Sequence, residues 1–389
     1  MVQSWQESIK YAFILGFVGF VTSFGAHIVN VNLPFYAQQV GVGVGVAMIG
    51  LIIAVYDFAE IIAKPIFGTL ADKQGMKKTM LVGILLFTLA SLLYLWIDPR
   101  LLLFVRFLQG VGAAALSAVS LALVGVYYKE NSGRAFGIYN AIKGAGYVIS
   151  PALGGTIVLK SGFASIFLTT AAIGAIAFFI SLSLPNPKES HAKGIEDDED
   201  NFSVKSFIAV FREPRLLKWY VVIVANMFFV SILFGFLPVY VHSLGYNPLL
   251  TGTLLSIVSV SYLLIQPIAG WFADKTDAVA TINIGLLISA IGIIMIPFVK
   301  DVPLVLISVL AGAGVGTVWT NSDNLISKLA KEGQLGATMG AAGSFKELGD
   351  MVGPIFIGVL SQGFGLKVGF ITCGTAGLLS LWLIFKKNE

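Results

Sequence analysis

The chain has 389 residues, 57% of them hydrophobic and 12% charged, with a formal net charge of +4 and a mean hydropathy of +0.87. A globular domain carries roughly 25% charged residues, so a water-soluble fold is excluded, and the small positive excess needs no nucleic-acid partner because membrane topology accounts for it. One cysteine, Cys373, cannot close an internal disulfide, no His/Cys/Asp cluster has metal-ligand spacing, and no nucleophile–base pair stands out, so neither a metal, a cofactor nor an enzymatic reaction is expected.

The predicted elements are apolar helices. From Tyr11 to Tyr56 and from Trp219 to Ala273 there is no Asp, Glu, Lys or Arg, and each run holds two spans of the ~20 apolar residues that cross ~30 Å of hydrocarbon. Twelve spans are predicted in all, near 10–35, 46–71, 79–97, 101–127, 135–159, 163–184, 218–241, 249–273, 279–298, 303–327, 336–361 and 367–385. The first runs on past the length of a signal core, so no cleavable signal peptide is expected. With both termini inside, the inner loops and tails collect most of the lysines and arginines, whereas the outer side holds only Arg100, Lys160, Lys300 and Lys367. Short cytoplasmic loops carry the positive charge, so the expectation is a multi-pass protein of a cell (plasma or inner) membrane with cytoplasmic termini.

Between the sixth and seventh spans lies the one strongly polar stretch. It begins Pro185-Asn186-Pro187, passes through Glu196-Asp197-Asp198-Glu199-Asp200, and ends in a segment where Ser203 is placed to cap a short helix with Phe207, Val210 and Phe211 on one face. The acidic run reads as a solvated linker. The organisation is therefore residues 1–184, a cytoplasmic linker over 185–217 with an interfacial helix, and residues 218–389.

The second half repeats the first. Pro65, Gly68, Ala71, Asp72 and Lys73 recur 202 positions later as Pro267, Gly270, Ala273, Asp274 and Lys275, and Gly137, Lys143, Gly146 and Pro151 recur 203 positions later as Gly340, Lys346, Gly349 and Pro354. Parallel repeats in a helical membrane protein mark a transporter architecture of two related halves. Gly110-Val111-Gly112 and Gly312-Ala313-Gly314 lie inside spans and follow no strand, so they do not read as phosphate loops. Small residues there, and at Gly146, Gly154 and Gly155, let helices approach closely.

Three words carry a resemblance to a known family. Gly68-Thr69-Leu70-Ala71-Asp72-Lys73-Gln74-Gly75-Met76-Lys77-Lys78 resembles the loop 2–3 signature of the major facilitator superfamily, with Met76 in place of a basic residue. Arg106-Phe107-Leu108-Gln109-Gly110-Val111-Gly112 is similar to its fourth-span word. Gly146 to Gly155, through Pro151 and Gly154, resembles the fifth-span word of the twelve-span drug–proton antiporter group, with Ser150 where that group has Gly. The resemblance implies an all-α fold of twelve transmembrane helices in two pseudo-symmetric six-helix bundles, alternating access, multidrug resistance by antiport rather than uptake, and a coupling role for Arg106. It also implies a conformational latch of Gly68, Asp72, Lys73, Gly75, Lys77 and, in the second half, Asp274, for which Glu130 and Arg134 are further partners. The plainer alternative is that these charges only set topology.

Nine ionisable side chains fall inside predicted spans: Asp57, Glu60, Lys64, Arg106, Lys143, Asp323, Lys346, Glu347 and Asp350. Each costs roughly 2.5–3.5 kcal/mol at the centre of a helix, so they are expected to face one another or a cavity. Asp57, Glu60 and Lys64 share one stripe of span 2. Two carboxylates a turn apart in low dielectric do not both stay ionised easily, which makes Asp57 and Glu60, with Arg106 and Asp350, the expected proton-coupling set; the alternative is an ion-pair network with Lys64 or Arg106 that only holds helices together. Lys346 and Asp350 are i, i+4 neighbours able to pair. Lys143 and Lys346, at repeat-equivalent sites, with Asp323, Glu347, His27 and Asn226, are the expected substrate contacts, unless each lysine merely neutralises a nearby acid and His27 and Asn226 only bridge helices.

The reading is a monomeric exporter of a small drug-like or amphiphilic organic molecule driven by protons. Its alternatives are an exporter of a polar or zwitterionic metabolite, such as an amino-acid-derived metallophore, and a non-transporting membrane sensor.

Overall fold

The computed structural model describes residues 2–39, 45–128, 132–186, 213–331 and 335–385. Among them are twelve long helices and no strand. The first six are α1 (Val2–Gln39), α2 (Val46–Gln74), α3 (Met76–Leu93), α4 (Leu102–Tyr127), α5 (Ser132–Ser161) and α6 (Phe163–Ser181). After the linker come α7 (Pro214–Ser243), α8 (Pro248–Lys275), α9 (Ala278–Met295), α10 (Asp301–Leu329), α11 (Leu335–Phe364) and α12 (Leu366–Phe385). The interfacial helix expected near Ser203 to Arg212 lies outside the described residues.

Ten of these helices are long and apolar enough to cross a bilayer. α11 carries Lys346, Glu347 and Asp350 in its middle, and α12 offers a shorter apolar stretch, Leu366–Leu379. Large apolar side chains such as Ile66, Leu264 and Phe179 are exposed on the outside, the surface a lipid solvent demands, since nothing but apolar contact is available there.

Breaks between helices follow local chemistry. Gly75, Gly162 and Gly365 have φ of +98°, +78° and +87°, a region open to glycine without steric cost, and they separate α2 from α3, α5 from α6 and α11 from α12. α7 is interrupted by a π segment at Ile232–Phe236. Pro238 follows it and has no N–H to offer the carbonyl four residues earlier, so widening the preceding turn absorbs the missing bond.

Two compact units emerge from the packing. The first comprises Met1–Gly43, Val55–Glu196 and Tyr246–Ser256; the second comprises Val44–Ala54, Asp197–Gly245 and Ile257–Glu389. Inside the first, α1 lies along α5, and α3 packs on α4 and α6. Inside the second, α7 lies along α11, and α9 packs on α10 and α12. The start of α8 packs within the first unit, where Gly252 abuts the Pro151 carbonyl and Gly155 abuts that of Pro248. The start of α2 packs within the second, where Gly50 abuts the Pro354 carbonyl and Gly358 faces Val46 and Ala47. Absent side chains at these four glycines let backbones touch, which is how helices associate in lipid.

Candidate functional site

Polar chemistry concentrates in one cluster per unit. In the first, Arg106 is fully buried on α4. Its Nη1 donates to Gln109 Oε1 at 2.7 Å, its Nη2 donates to Asn30 Oδ1 on α1, and its guanidinium carbon lies 4.3 Å from the centre of the Tyr56 ring on α2. Gln109 also accepts from the Tyr94 hydroxyl at 3.2 Å and donates to Ser91 Oγ at 3.2 Å, so α3 is tied into the same chain. Nε of Arg106 has no hydrogen-bond partner among the described residues. A cation is thus held inside the bundle by neutral dipoles and an aromatic face, an arrangement suited to the weakly hydrated, planar guanidinium.

Of the acids of α2, Asp57 adjoins Tyr56 in the chain and Glu60 lies one turn on. Glu60 is 8% exposed and forms an ion pair of 2.5 Å with Lys64, its i+4 neighbour. Tyr56 also hydrogen-bonds Glu60. Asp57 is partly exposed. Lys143 on α5 feels the charges of Glu60 and Lys64 and lies near Tyr139 and Tyr147. His27 Nδ1 donates to the Ser23 carbonyl at 3.0 Å, and the ring meets Tyr147 edge-on with ring centres 4.4 Å apart. Beside α1 and α5 lies a shallow, open apolar groove lined by Phe17, Phe20, Ala141, Ile142 and Ala145.

In the second unit Lys346 Nζ lies 2.6 Å from Asp323 Oδ2 on α10 and 4.7 Å from the centre of the Trp319 ring. The i, i+4 spacing pointed to Asp350 as the partner of Lys346; the close partner across helices is Asp323. Asp350 and Glu347 follow on α11, both partly exposed. Asn226 is 1% exposed and donates to the Val315 carbonyl of α10 at 3.3 Å, the geometry of a bond between helices. Tyr262, which edges onto Trp319 at 5.7 Å, carried no signal in the sequence, whereas Gln109 is part of the fourth-span word.

At the loop ends, Lys77 donates to the carbonyls of Leu182 and Leu184 at 2.8 and 2.5 Å, satisfying acceptors left open after α6. Asp274 reaches Lys328, at the end of α10, over 3.9 Å in the open. Lys73 is exposed in the last turn of α2, and a Cβ at Gly68 would meet nothing among the described residues, so no close approach to them requires glycine there. Glu130 and the side chains of Asp72 and Arg134 lie outside the described residues. In the fifth-span word, Pro151 is inside α5, Gly146 lies against Ser23 and the Phe24 amide, and Gly154 against Ile28 and Asn32 of α1. Ser150 is buried with its hydroxyl unpartnered among the described residues.

The sequence matches the Major Facilitator Superfamily over residues 15–260 and 241–389. The chain belongs to the major facilitator superfamily. This major facilitator protein is 25% identical over 359 residues to the quinolone resistance protein NorA of Staphylococcus aureus (strain COL), covering 90% of both chains. It is 25% identical over 390 residues to the multidrug resistance protein MdtG of Salmonella schwarzengrund (strain CVM19633), covering 95% of this chain and 93% of that one. Among solved structures it superposes on the nucleoside transporter NupG with a TM-score of 0.81 at 15% identity, over 98% of this chain and all of the other. On a D-xylose–proton symporter the TM-score is 0.75 at 15% identity, over 97% and 96% of the two chains. The fold is therefore the all-α membrane fold of this superfamily, whose members are multi-pass transporters rather than enzymes.

Proposed function

We propose that this major facilitator protein exports a small amphiphilic organic molecule in exchange for protons, by alternating access of an N-terminal six-helix bundle (1–184) and a C-terminal one (218–389), working as a monomer with both termini in the cytoplasm. The observation that carries the coupling is the nearly buried Glu60, held by Tyr56 and Lys64 beside the fixed charge of Arg106. Protonating Glu60 removes its attraction to Lys64, and deprotonating it restores the pair, so a proton changes which contacts α2 keeps. Export rather than uptake is supported by the fifth-span word and by two relatives named for drug resistance that align along most of their length. The open apolar groove beside Phe17 and Phe20 offers a surface to the apolar part of such a molecule.

The test is flux in proteoliposomes with an imposed pH gradient and a fluorescent amphiphilic cation such as ethidium. Replacing both acids, Asp57→Asn with Glu60→Gln, abolishes gradient-driven flux and leaves counterflow exchange partly intact. Full gradient-driven flux in the double variant would move the proton carrier to Asp350 or Glu347. No flux of any solute by the wild type would favour the sensor alternative. The second reading, a zwitterionic metabolite, is favoured by the paired charges at Lys346 and Asp323.

A further inference from the structure

The second unit holds a constellation that neither proton coupling nor helix packing accounts for. Trp319 and Asp323 are one turn apart on α10, so the indole and the carboxylate project from the same stripe. Lys346 of α11 reaches both, bonded to Asp323 Oδ2 at 2.6 Å with its ammonium 4.7 Å from the indole centre. Tyr262 of α8 meets that indole edge-on at 71°, and Phe234, in the π segment of α7, meets Tyr262 edge-on at 72°. Oδ1 of Asp323 is buried and has no hydrogen-bond partner among the described residues, although the side chains of Lys346 and Asp323 keep 19% and 26% of their exposure.

An ammonium has three donors and a carboxylate two oxygens that each accept, so a pair joined by one contact leaves both ends unfinished. A lone anion would share Lys346 with Asp323 and bring two carboxylates together. A lone cation would crowd a second positive charge onto Asp323. Either brings a net charge into low-dielectric surroundings, where an unbalanced charge is the costly outcome. A zwitterion brings none, because its carboxylate lies against Lys346 and its ammonium against Oδ1, closing a square of alternating charges. Both open positions flank a single short contact, so the ligand's two charges must themselves be close. The indole and phenol beside them offer a wall for a flat ring.

We infer that Asp323, Lys346, Trp319 and Tyr262 form a recognition half-site for a small zwitterion whose ammonium and carboxylate are one or two carbons apart and adjoin a flat apolar ring. This names the solute class for the exporter reading and rests on it. The probes are tryptophan, its methyl ester and N-acetyltryptophan, which present one ring with both charges, the cation alone or the anion alone. Each is titrated by calorimetry into the purified full-length protein in detergent. Wild type binds tryptophan about ten- to a hundredfold more tightly than either derivative, the worth of one charge-assisted hydrogen bond. Lys346→Gln inverts the order in favour of the ester and Asp323→Asn in favour of the N-acetyl form, whereas a merely structural pair would weaken all three alike. Trp319→Ala lowers the affinity for all three by a similar factor and keeps tryptophan first, which tests the wall without touching the charges. Binding of the three probes to wild type within about twofold of one another, or variants that do not reorder them, would overturn the half-site. pH-driven flux of ethidium and of radiolabelled tryptophan is measured separately: no flux of either with the binding order intact sinks the exporter reading alone, and flux of either without that order sinks the half-site alone.

Discussion

Arg106 and Lys346 are both cations inside a helical bundle, and they are held in opposite ways. Arg106 is sealed from solvent, and its donors go to the neutral oxygens of Asn30 and Gln109 with the Tyr56 ring beneath it. Lys346 is paired to a carboxylate, Asp323, in a partly open position beside Trp319. A guanidinium wrapped in dipoles stays charged and stays put, so it sets the field felt by neighbouring acids. An ammonium on a flexible stem with one partly exposed ionic partner can change partners. On the proposed reading, the first unit holds the charge that a proton works against and the second offers a pair that a solute can complete.

Removing each cation should separate the two roles, and the largest effect is expected at Arg106. Arg106→Met takes the guanidinium donor from the partly buried Asn30 oxygen and leaves Gln109 Oε1 with the Tyr94 hydroxyl alone, at ~1–3 kcal/mol for the stranded acceptor, and the loss should appear as a marked drop in the thermal unfolding temperature of the purified protein together with loss of gradient-driven flux. Lys346→Met strands Asp323, but in a partly exposed place, so the destabilisation is expected to be smaller. The double variant Lys346→Met with Asp323→Leu should recover most of it, because replacing both members of a pair by apolar groups is often neutral. A double variant as unstable as the single one would mean that the pair holds the bundle together.

The repeat gives a second comparison of the units. Gly252 and Gly50 occupy matching close contacts with the Pro151 and Pro354 carbonyls in the first and second units, so Gly252→Val and Gly50→Val should each cost about 1–3 kcal/mol by overpacking. A clear difference in unfolding temperature between the two would show that one contact alone is tight in solution. Ser256 donates to the Val148 carbonyl at 2.6 Å and accepts from the Ala152 amide at 3.0 Å, inserting into the α5 ladder beside Pro151. The repeat-equivalent residue in the second unit, Ala54, has no hydroxyl to insert, and Ser256→Ala should cost about 1 kcal/mol. The smallest effect is expected for Lys328→Gln, whose 3.9 Å pair with Asp274 is more than half exposed; its stability change should fall within ~0–1 kcal/mol, read from the same unfolding curves.

Several features of the site were legible in the chain itself. The buried charge of Arg106 and its partner Gln109 stand three residues apart, where one helical turn brings them together. Glu60 and Lys64 are i, i+4, and their pair needs nothing but a helix. Lys346 shows where such reasoning stops: Asp350 has the right spacing along α11, yet Asp323, 23 positions away, is the close partner. Asn30 is 76 positions from Arg106, and Lys77 is 105 and 107 from the carbonyls it caps. No periodicity within a helix ranks those partners.

Membrane insertion is a local property, summed over ~20 residues at a time, which is why the twelve spans, the duplicated halves, the family words and the set of charges enclosed by helices all follow from the order of amino acids alone. The assignment of the start of α2 to one unit and the start of α8 to the other, the π turn that brings Phe234 to Tyr262, and the choice of Asp323 for Lys346 were decided by tertiary packing. In hydrocarbon every polar group must find its partner inside the protein, and which partner it finds depends on distances between helices that are adjacent in space and far apart in the chain.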